Sequence, residues 1–492
     1  MKLQKVNIEN FRCFESYKVS FAENTTVLIG KNGTGKTNLI TALKKGMSFI
    51  FSRKNVGVQN FLALSSDLHI TKFSVFDSRF DNEKRDFNYP INIALEASIN
   101  KHQLNWTFAK RSSTGSISES GYKDALKQFF NQYSGVNTIL PVLAFFSDSY
   151  PHIRINISKN TDEIIKKQGA MPKSFGYYQW DADTNCAEIW QRRFIKVYND
   201  VNDYKKSPIA LQDEIDFLET LIRNKDEHDE HKIPEWEEKI EILQEQIEQL
   251  KNKPQNNKEV EEINFVEYYL KIFTEPLRND LNFINKEFQI RNIYVSRPKG
   301  GDFNIQFAFV NGNVMFFDNL PQGYKRLFSI VFDIAYRSYI LNQAKEPEGI
   351  VFIDEIELHL HPSLQQEVLG RLRKTFPKIQ FIVSTHSLLV ISNLKSENNS
   401  NKIIRLENDG LTYSNEPVEN IYGIDYTTGL MDIMDAPYRP STIDNLIDSY
   451  VILKLRNKED DALKIWNEIF LVVGKDNKRI EKEITDKLEA NR

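Results

Sequence analysis

An α/β fold built on a buried parallel sheet is predicted by three stretches of this 492-residue sequence. "TTVLI" runs directly into "GKNGTGKT" and then into the apolar-periodic "NLITALKK". "GIVFIDEIELHLHP" carries four consecutive apolar residues, Ile350 to Ile353, into Asp354 and Glu355. "FPKIQFIVSTHSLLVIS" repeats the pattern and ends in Ser384, Thr385, His386 and Ser387. Short apolar runs without polar alternation read as strands covered on both faces, and each is followed by polar residues where the C-terminal end of the strand would lie.

The first stretch has the spacing Gly-x-x-x-x-Gly-Lys-Thr, in which glycines let backbone amides turn inward around phosphates. A helix starting at Lys36 and Thr37 would add the positive end of its dipole. Gly30, Lys31, Asn32, Gly33, Thr34, Gly35, Lys36, Thr37 and Asn38 are therefore the candidate contacts to ATP. Lys36 would reach the β- and γ-phosphates, and the Thr37 hydroxyl would ligate Mg²⁺. The second stretch supplies the acidic partner. Asp354 would hold Mg²⁺ through water, and Glu355 would polarise the attacking water as general base. His386, just beyond the third strand, is the candidate switch histidine of the same site. His359 and His361 in "HLHP" lack a further carboxylate and histidine cluster, and no transition-metal site is expected there.

Composition bounds the rest. With 40% hydrophobic and 27% charged residues the chain reads as globular, and its length calls for two to four structural units. No apolar run approaches the roughly 18 residues of a membrane span, and "MKLQKVNIENF" lacks a leader's apolar block, so a cytoplasmic protein without membrane contact is expected. Two cysteines, Cys13 and Cys186, allow neither a disulfide framework nor a cysteine zinc site. A formal net charge of −4 means that any DNA contact has to come from a local basic patch.

The order of these motifs resembles that of ABC-type, AAA-family P-loop ATPases of the RecF and structural-maintenance-of-chromosomes (SMC) branch. "GKNGTGKT" resembles their phosphate cradle, "LPQGYK" stands where their signature loop belongs, "STHS" matches their switch-histidine loop, and "VNIENFRCFESYKVSF" is similar to their first strand. The resemblance implies an ATPase head whose signature loop, with Leu320, Gln322 and Gly323, completes the site of a second subunit in a head-to-tail homodimer or higher oligomer. It makes Arg12 a candidate contact to nucleotide or DNA. Pro321 occupies the place of a serine that donates to the γ-phosphate, which implies slow hydrolysis. No glutamine is assigned to the Q-loop.

From 207 to 253 the sequence turns charged and amphipathic. Leu211, Ile215, Leu218 and Ile222 recur at 4-3-4, and Trp236, Ile240, Leu243, Ile247 and Leu250 at 4-3-4-3, with "NKDEHDEHKIP" between. This predicts an inserted helical hairpin with a coiled-coil seam and arms of about 30 Å. Such arms are too short to tether chromosomes, and the hairpin is either a docking arm or a solvated stabiliser. The expected division is a first head lobe over 1–200, the helical insertion over 201–290, a second head lobe over 291–415 and a C-terminal helical domain over 416–492. In the first lobe "INIALEASI" and "LNWTFAK" read as strands of an antiparallel subdomain, and "NTILPVLAFFS" is placed with that subdomain and its insertions. Tyr177, Tyr178 and Trp180 read as packing more than as base-stacking residues. The tail reads as a linker and three helices, with Ser441 and Asp476 as N-caps and Gly474 as a stop.

"LPVLAFFS", "GYYQW", "LPQGYKR" and "YGIDYTTGLMDIMDAPYRP" are similar to the ATPase of Septu-type anti-phage defence systems, including the retron-linked versions. That resemblance implies a regulatory ATPase partnered by a small HNH-type nuclease subunit (PtuB-like) and, in the retron-linked versions, by a reverse transcriptase and retron msDNA. DNA is a further candidate partner. The alternative reading is a RecF- or SMC-like repair ATPase acting on DNA without a dedicated nuclease. A self-contained nuclease of the overcoming-lysogenisation-defect type would need an Asp-x-Asp after the head, and none occurs between residues 387 and 492. A transporter ATPase is disfavoured by the inserted hairpin and the tail.

Overall fold

The computed structural model describes residues 1–57, 68–100, 102–135, 138–150, 157–167, 171–182, 187–201, 211–212, 215, 218–219, 222, 233–251, 257–277, 288–298, 300–394, 400–410, 412–419, 421–424, 426–434, 439–474 and 477–490. Cys186 and Asp476 lie outside them, as does the side chain of Leu250. The chain divides into two compact units, Met1–Gly423 and Ile424–Arg492.

The larger unit is organised by a six-stranded sheet in the order Tyr413–Val418, Asn401–Asn408, Thr25–Ile29, Lys378–Ser384, Glu348–Ile353, Val142–Phe146. All pairings are parallel except the outer hairpin of Asn401–Asn408 with Tyr413–Val418. Thr25–Ile29 and Val142–Phe146 are buried at every position, as the uninterrupted apolar runs require of strands covered on both faces. The register sets Ile353 beside Val383 and Phe146, and Val383 beside Val27. The residues that follow these four strands therefore emerge along one carboxyl edge, where open α/β sheets place their ligands.

"NTILPVLAFFS" is not part of the antiparallel subdomain. Val142–Phe146 is the outer parallel strand of the central sheet, paired with the acidic strand. Five apolar residues carry no period, and only the distant partner decides which sheet receives them. "INIALEASI" and "LNWTFAK" do form the expected antiparallel strands, Ile91–Ile99 and His102–Lys110, in the order Phe14–Ser20, Lys2–Phe11, Ile91–Ile99, His102–Lys110. Alternate residues of Ile91–Ile99 are buried, and that face covers the helix Lys36–Met47 behind the phosphate loop.

Tyr177, Tyr178 and Trp180 are buried; the Tyr177 hydroxyl donates to the Pro141 carbonyl at 2.8 Å, and Trp180 packs on Phe51. In the insertion, Leu211, Ile215 and Leu218 form one apolar cluster with Leu243 and Ile247, with Trp236 and Ile240 at its margin. The helix Asn257–Thr274 packs into the head, where Tyr269 stacks on Phe376 and Phe265 meets Tyr339. A hairpin of Ile290–Ser296 and Asn304–Phe309 leads to the helix Gln322–Asn342, which is buried almost throughout from Arg326 onward. Arg297 secures that hairpin's turn, donating to the Gly301 carbonyl.

The smaller unit holds a short helix, Tyr426–Asp432, and three longer ones, Ser441–Leu455, Glu459–Val473 and Lys478–Ala490, packed around Ile447, Val451, Ile469 and Ile484. Ser441 is the first helical residue and not the cap: Pro440 precedes it with extended backbone, and no side chain caps that end. Gly474 ends the middle helix at φ 86°.

Candidate functional site

A cleft of about 190 Å³ opens on the carboxyl edge of the central sheet, lined by Asn32, Gly33, Gly35, Lys36, Thr37, Asn38, Asp354, Glu355, Ser384 and His386. Two segments that stand at opposite ends of the sequence thus share one wall-to-wall space. The loop is shaped by glycine: Gly35 has φ 95°, and a Cβ there would lie 2.7 Å from the Phe14 ring. Thr34 closes the loop by donating to the Lys31 carbonyl at 2.9 Å. The Lys36 ammonium donates to the Gly30 and Lys31 carbonyls at 2.7 and 3.0 Å. Burial lowers the Lys36 pKa to about 8, while Asp354, Glu355 and Glu357 pull it upward. A desolvated cation in a cradle of backbone amides suits a polyphosphate.

Across the cleft, Asp354 is buried and accepts a hydrogen bond from the Ser384 hydroxyl, which in turn accepts from the Glu355 amide at 2.9 Å. The Asp354 amide donates to the Phe146 carbonyl at 2.8 Å, and the Ile356 amide to the Ser384 carbonyl at 3.1 Å. Glu355 has φ 49°, a conformation rare for a residue with a side chain and held here by its neighbours. Its carboxyl is pushed above the usual carboxylate range, first by desolvation and then by the charges of Asp354, Glu357 and Asp148. A carboxylate with raised basicity beside a phosphate cradle can take a proton from water. His386 is exposed, with its amide donating to Glu357 Oε1 at 2.6 Å. Desolvation and then Lys36 lower the pKa of its imidazole, favouring the neutral ring.

Four further residues position this edge, and sequence reasoning did not assign them to the site. Arg326, fully buried on the helix Gln322–Asn342, donates to the carbonyls of Asp354 and Glu355 at 3.0 and 3.1 Å, to that of Asp148 at 3.2 Å and to that of Tyr150. It thereby joins the ends of two neighbouring strands. Ser384 and Glu357 lay inside quoted motifs, "STHS" and "IDEIE", whereas Asp148 and Arg326 carry no local signal. Metal-holding clusters of three or more His, Cys, Asp or Glu are absent among the described residues. His361 serves as the N-cap of the helix Pro362–Thr375, its ring accepting from the Ser363 amide.

The remaining candidates lie elsewhere. Arg12, at φ 50°, reaches Asp77 at 3.0 Å and Asn38 Oδ1 at 3.0 Å, so it braces the first turn after the phosphate loop. The signature-like residues are not brought into the cleft of their own chain. Leu320 is buried, Gln322 is exposed, and Gly323 is pressed against the His359 carbonyl, where an added Cβ would sit 2.6 Å away.

Comparison with known proteins places the chain. It is 29% identical over 484 residues to the retron Vc95 probable ATPase of Vibrio cholerae serotype O1 biovar El Tor, covering 95% of this chain and 84% of that one. It is 27% identical over 432 residues to the retron Ec83 probable ATPase of Escherichia coli, covering 81% and 71%. A segment of 132 residues is 33% identical to the Septu protein PtuA of Bacillus mycoides, covering 27% of this chain and 18% of that one. Among solved structures, the SMC head domain from Thermotoga maritima superposes over 85% of this chain and 100% of that one, a distant likeness at TM-score 0.40 and 12% identity. The AAA ATPase domain family matches residues 1–391, and the chain belongs to that family.

Proposed function

We propose that this chain is the ATP-binding and ATP-hydrolysing regulatory subunit of an anti-phage defence system of the retron-linked or Septu kind. The observation that supports the chemistry is the single cleft shared by Lys36, Thr37, Asp354, Glu355 and His386. Similarity along 95% of the chain to a retron ATPase supports the setting.

In this reading the loop amides and Lys36 bind the triphosphate, and Lys36 leaves its two carbonyl partners to do so. Asp354 and the exposed Thr37 hydroxyl would hold Mg²⁺, which when bound screens phosphate charge and polarises the γ-phosphoryl group. The donor set fits: one buried, oriented carboxylate beside one alcohol, both oxygen ligands. Glu355 accepts the proton of the attacking water, and neutral His386 hydrogen-bonds at the phosphate side. The exposed Gln322 and the turn around Gly323 complete the site of a second copy, head to tail, which leaves each chain with one complete set of halves for the dimer. ATP-driven assembly then restrains or releases an HNH-type nuclease partner.

The test is gentle purification of the tagged protein from its native operon with ATP and Mg²⁺, followed by mass spectrometry and nuclease digestion of what accompanies it. A small HNH protein, alone or with a reverse transcriptase and its DNA, supports the reading. A bare homodimer whose ATP hydrolysis is stimulated by added DNA overturns it in favour of a repair ATPase.

A further inference from the structure

The helix Lys36–Met47 has the nucleotide cleft at its first turn, and at its other end it runs through the turn Ser48–Phe51 into a second cavity. This cavity holds about 600 Å³, within the usual range of small-molecule sites. Its lining is strongly one-signed. Arg53, Lys54, His69, Lys72 and Lys110 contribute to it, and no Asp or Glu does so among the described residues, in a chain whose net charge is −4. Phe51, Phe73 and Tyr122 give it an aromatic floor.

Lys110 decides what such a space is suited to hold. It is only 8% exposed, its ammonium lies 6.0 Å from the centre of the Tyr89 ring, and no carboxylate lies within ion-pair distance of it among the described residues. Its stem is packed away while the residue opens onto the cavity. Lys72 is likewise without a carboxylate partner among the described residues, and its carbonyl is held at 2.8 Å by Lys45, which fixes the backbone at the cavity wall. Of the lining cations, Lys54 is paired outward, with Glu119 at 2.7 Å. An anion entering the cavity would therefore meet Lys110 and Lys72 with no carboxylate of the lining to displace among the described residues.

We propose that this cavity is a second ligand site, separate from the phosphate loop, that takes a free nucleotide. Phosphate meets Lys110 and Lys72, and the base lies on the aromatic floor. A bare inorganic anion would leave most of the volume and the whole apolar floor unused, which favours a ligand with a flat ring and a phosphate together.

The experiment is calorimetric titration of the full-length protein with ADP. Wild type is expected to bind two ADP per chain, Lys36→Ala one, and Lys36→Ala combined with Lys72→Glu none, or at least tenfold more weakly. Lys72 is exposed, so this substitution spares the fold; Lys36→Ala with Lys110→Met is the second variant, expected to show the same loss. Absence of ADP binding in Lys36→Ala overturns the proposal. Two ADP per Lys36→Ala chain would support this cavity while contradicting the assignment of the phosphate loop. A short single-stranded oligonucleotide that binds Lys36→Ala in a Lys72-dependent way, with ADP failing to compete, overturns the free-nucleotide assignment in favour of a nucleic-acid strand.

Discussion

The two glycine loops of the head are built for opposite situations. The phosphate loop, Gly30 to Thr37, faces Asp354 and Glu355 of its own chain across a cleft of about 190 Å³. The signature-like stretch, Leu320 to Tyr324, opens the helix Gln322–Asn342; it is anchored from behind by buried Leu320 and by Gly323 against the His359 carbonyl, and its exposed Pro321 and Gln322 do not line that cleft. One has its candidate chemistry assembled within the chain, and the other presents an exposed surface with none. On the proposed reading a monomer would bind nucleotide and lack half of the surroundings that hydrolysis uses in the dimer. Arg326 lies two residues after that stretch, on the same helix, and holds the backbone of Asp354 and Glu355, so the two halves are mechanically joined inside each chain.

Substitutions separate the two motifs, beginning with the phosphate loop. The largest effect is expected of Lys36→Ala, which removes the cation of the cradle and should abolish ATP turnover, with ATP affinity at the phosphate loop weakened about a hundredfold or more in equilibrium binding. Glu355→Gln should lower kcat by roughly 10²- to 10⁴-fold while ATP affinity is retained, read by single-turnover kinetics. A rate equal to wild type would remove Glu355 from the role of base.

Arg326→Met leaves four backbone carbonyls without their donor. It should destabilise the protein by about 3 kcal/mol or more in denaturant unfolding, because each buried acceptor left unpaired costs about 1–3 kcal/mol. Rates measured below the unfolding transition should fall as well, since Glu355 loses the contact that fixes its unusual backbone conformation.

The smallest expected effect concerns pH. Only ionised Glu355 accepts a proton, and its carboxyl titrates above the ordinary carboxylate range, so the rate should rise with pH through that raised value and fall as acid protonates it. Asp148→Asn removes one of the like charges, which favours ionised Glu355. The acid limb of kcat against pH should then move to lower pH, with little change at the plateau.

Much of the candidate site was legible because its segments announce themselves locally. The glycine spacing, the apolar run into Asp354 and Glu355, and the strand before His386 each depend on neighbours within a few residues. Asp148 and Arg326 were not legible, because their roles come from pairing between segments far apart in the chain: a parallel partner for Val142–Phe146, and a buried guanidinium that meets carbonyls and not carboxylates. The basic cavity escaped for the same reason, since Arg53, Lys72 and Lys110 stand on three different segments and are too sparse in sequence to form a charge run. At the tail, the preference of serine for N-cap positions lost to Pro440, whose fixed φ and extended backbone already set the helix start.

The central claim is that one chain's phosphate loop works with another chain's signature-like loop. Co-expression of Lys36→Ala with Gln322→Glu, a change at an exposed position, tests it most directly, each variant being expected to be inactive when alone. In random head-to-tail dimers half of the pairs are mixed and carry one intact composite site, so the mixture should recover about a quarter of the wild-type ATPase rate. A mixture as inactive as either parent, with mixed pairs verified by differential tags, would contradict the account.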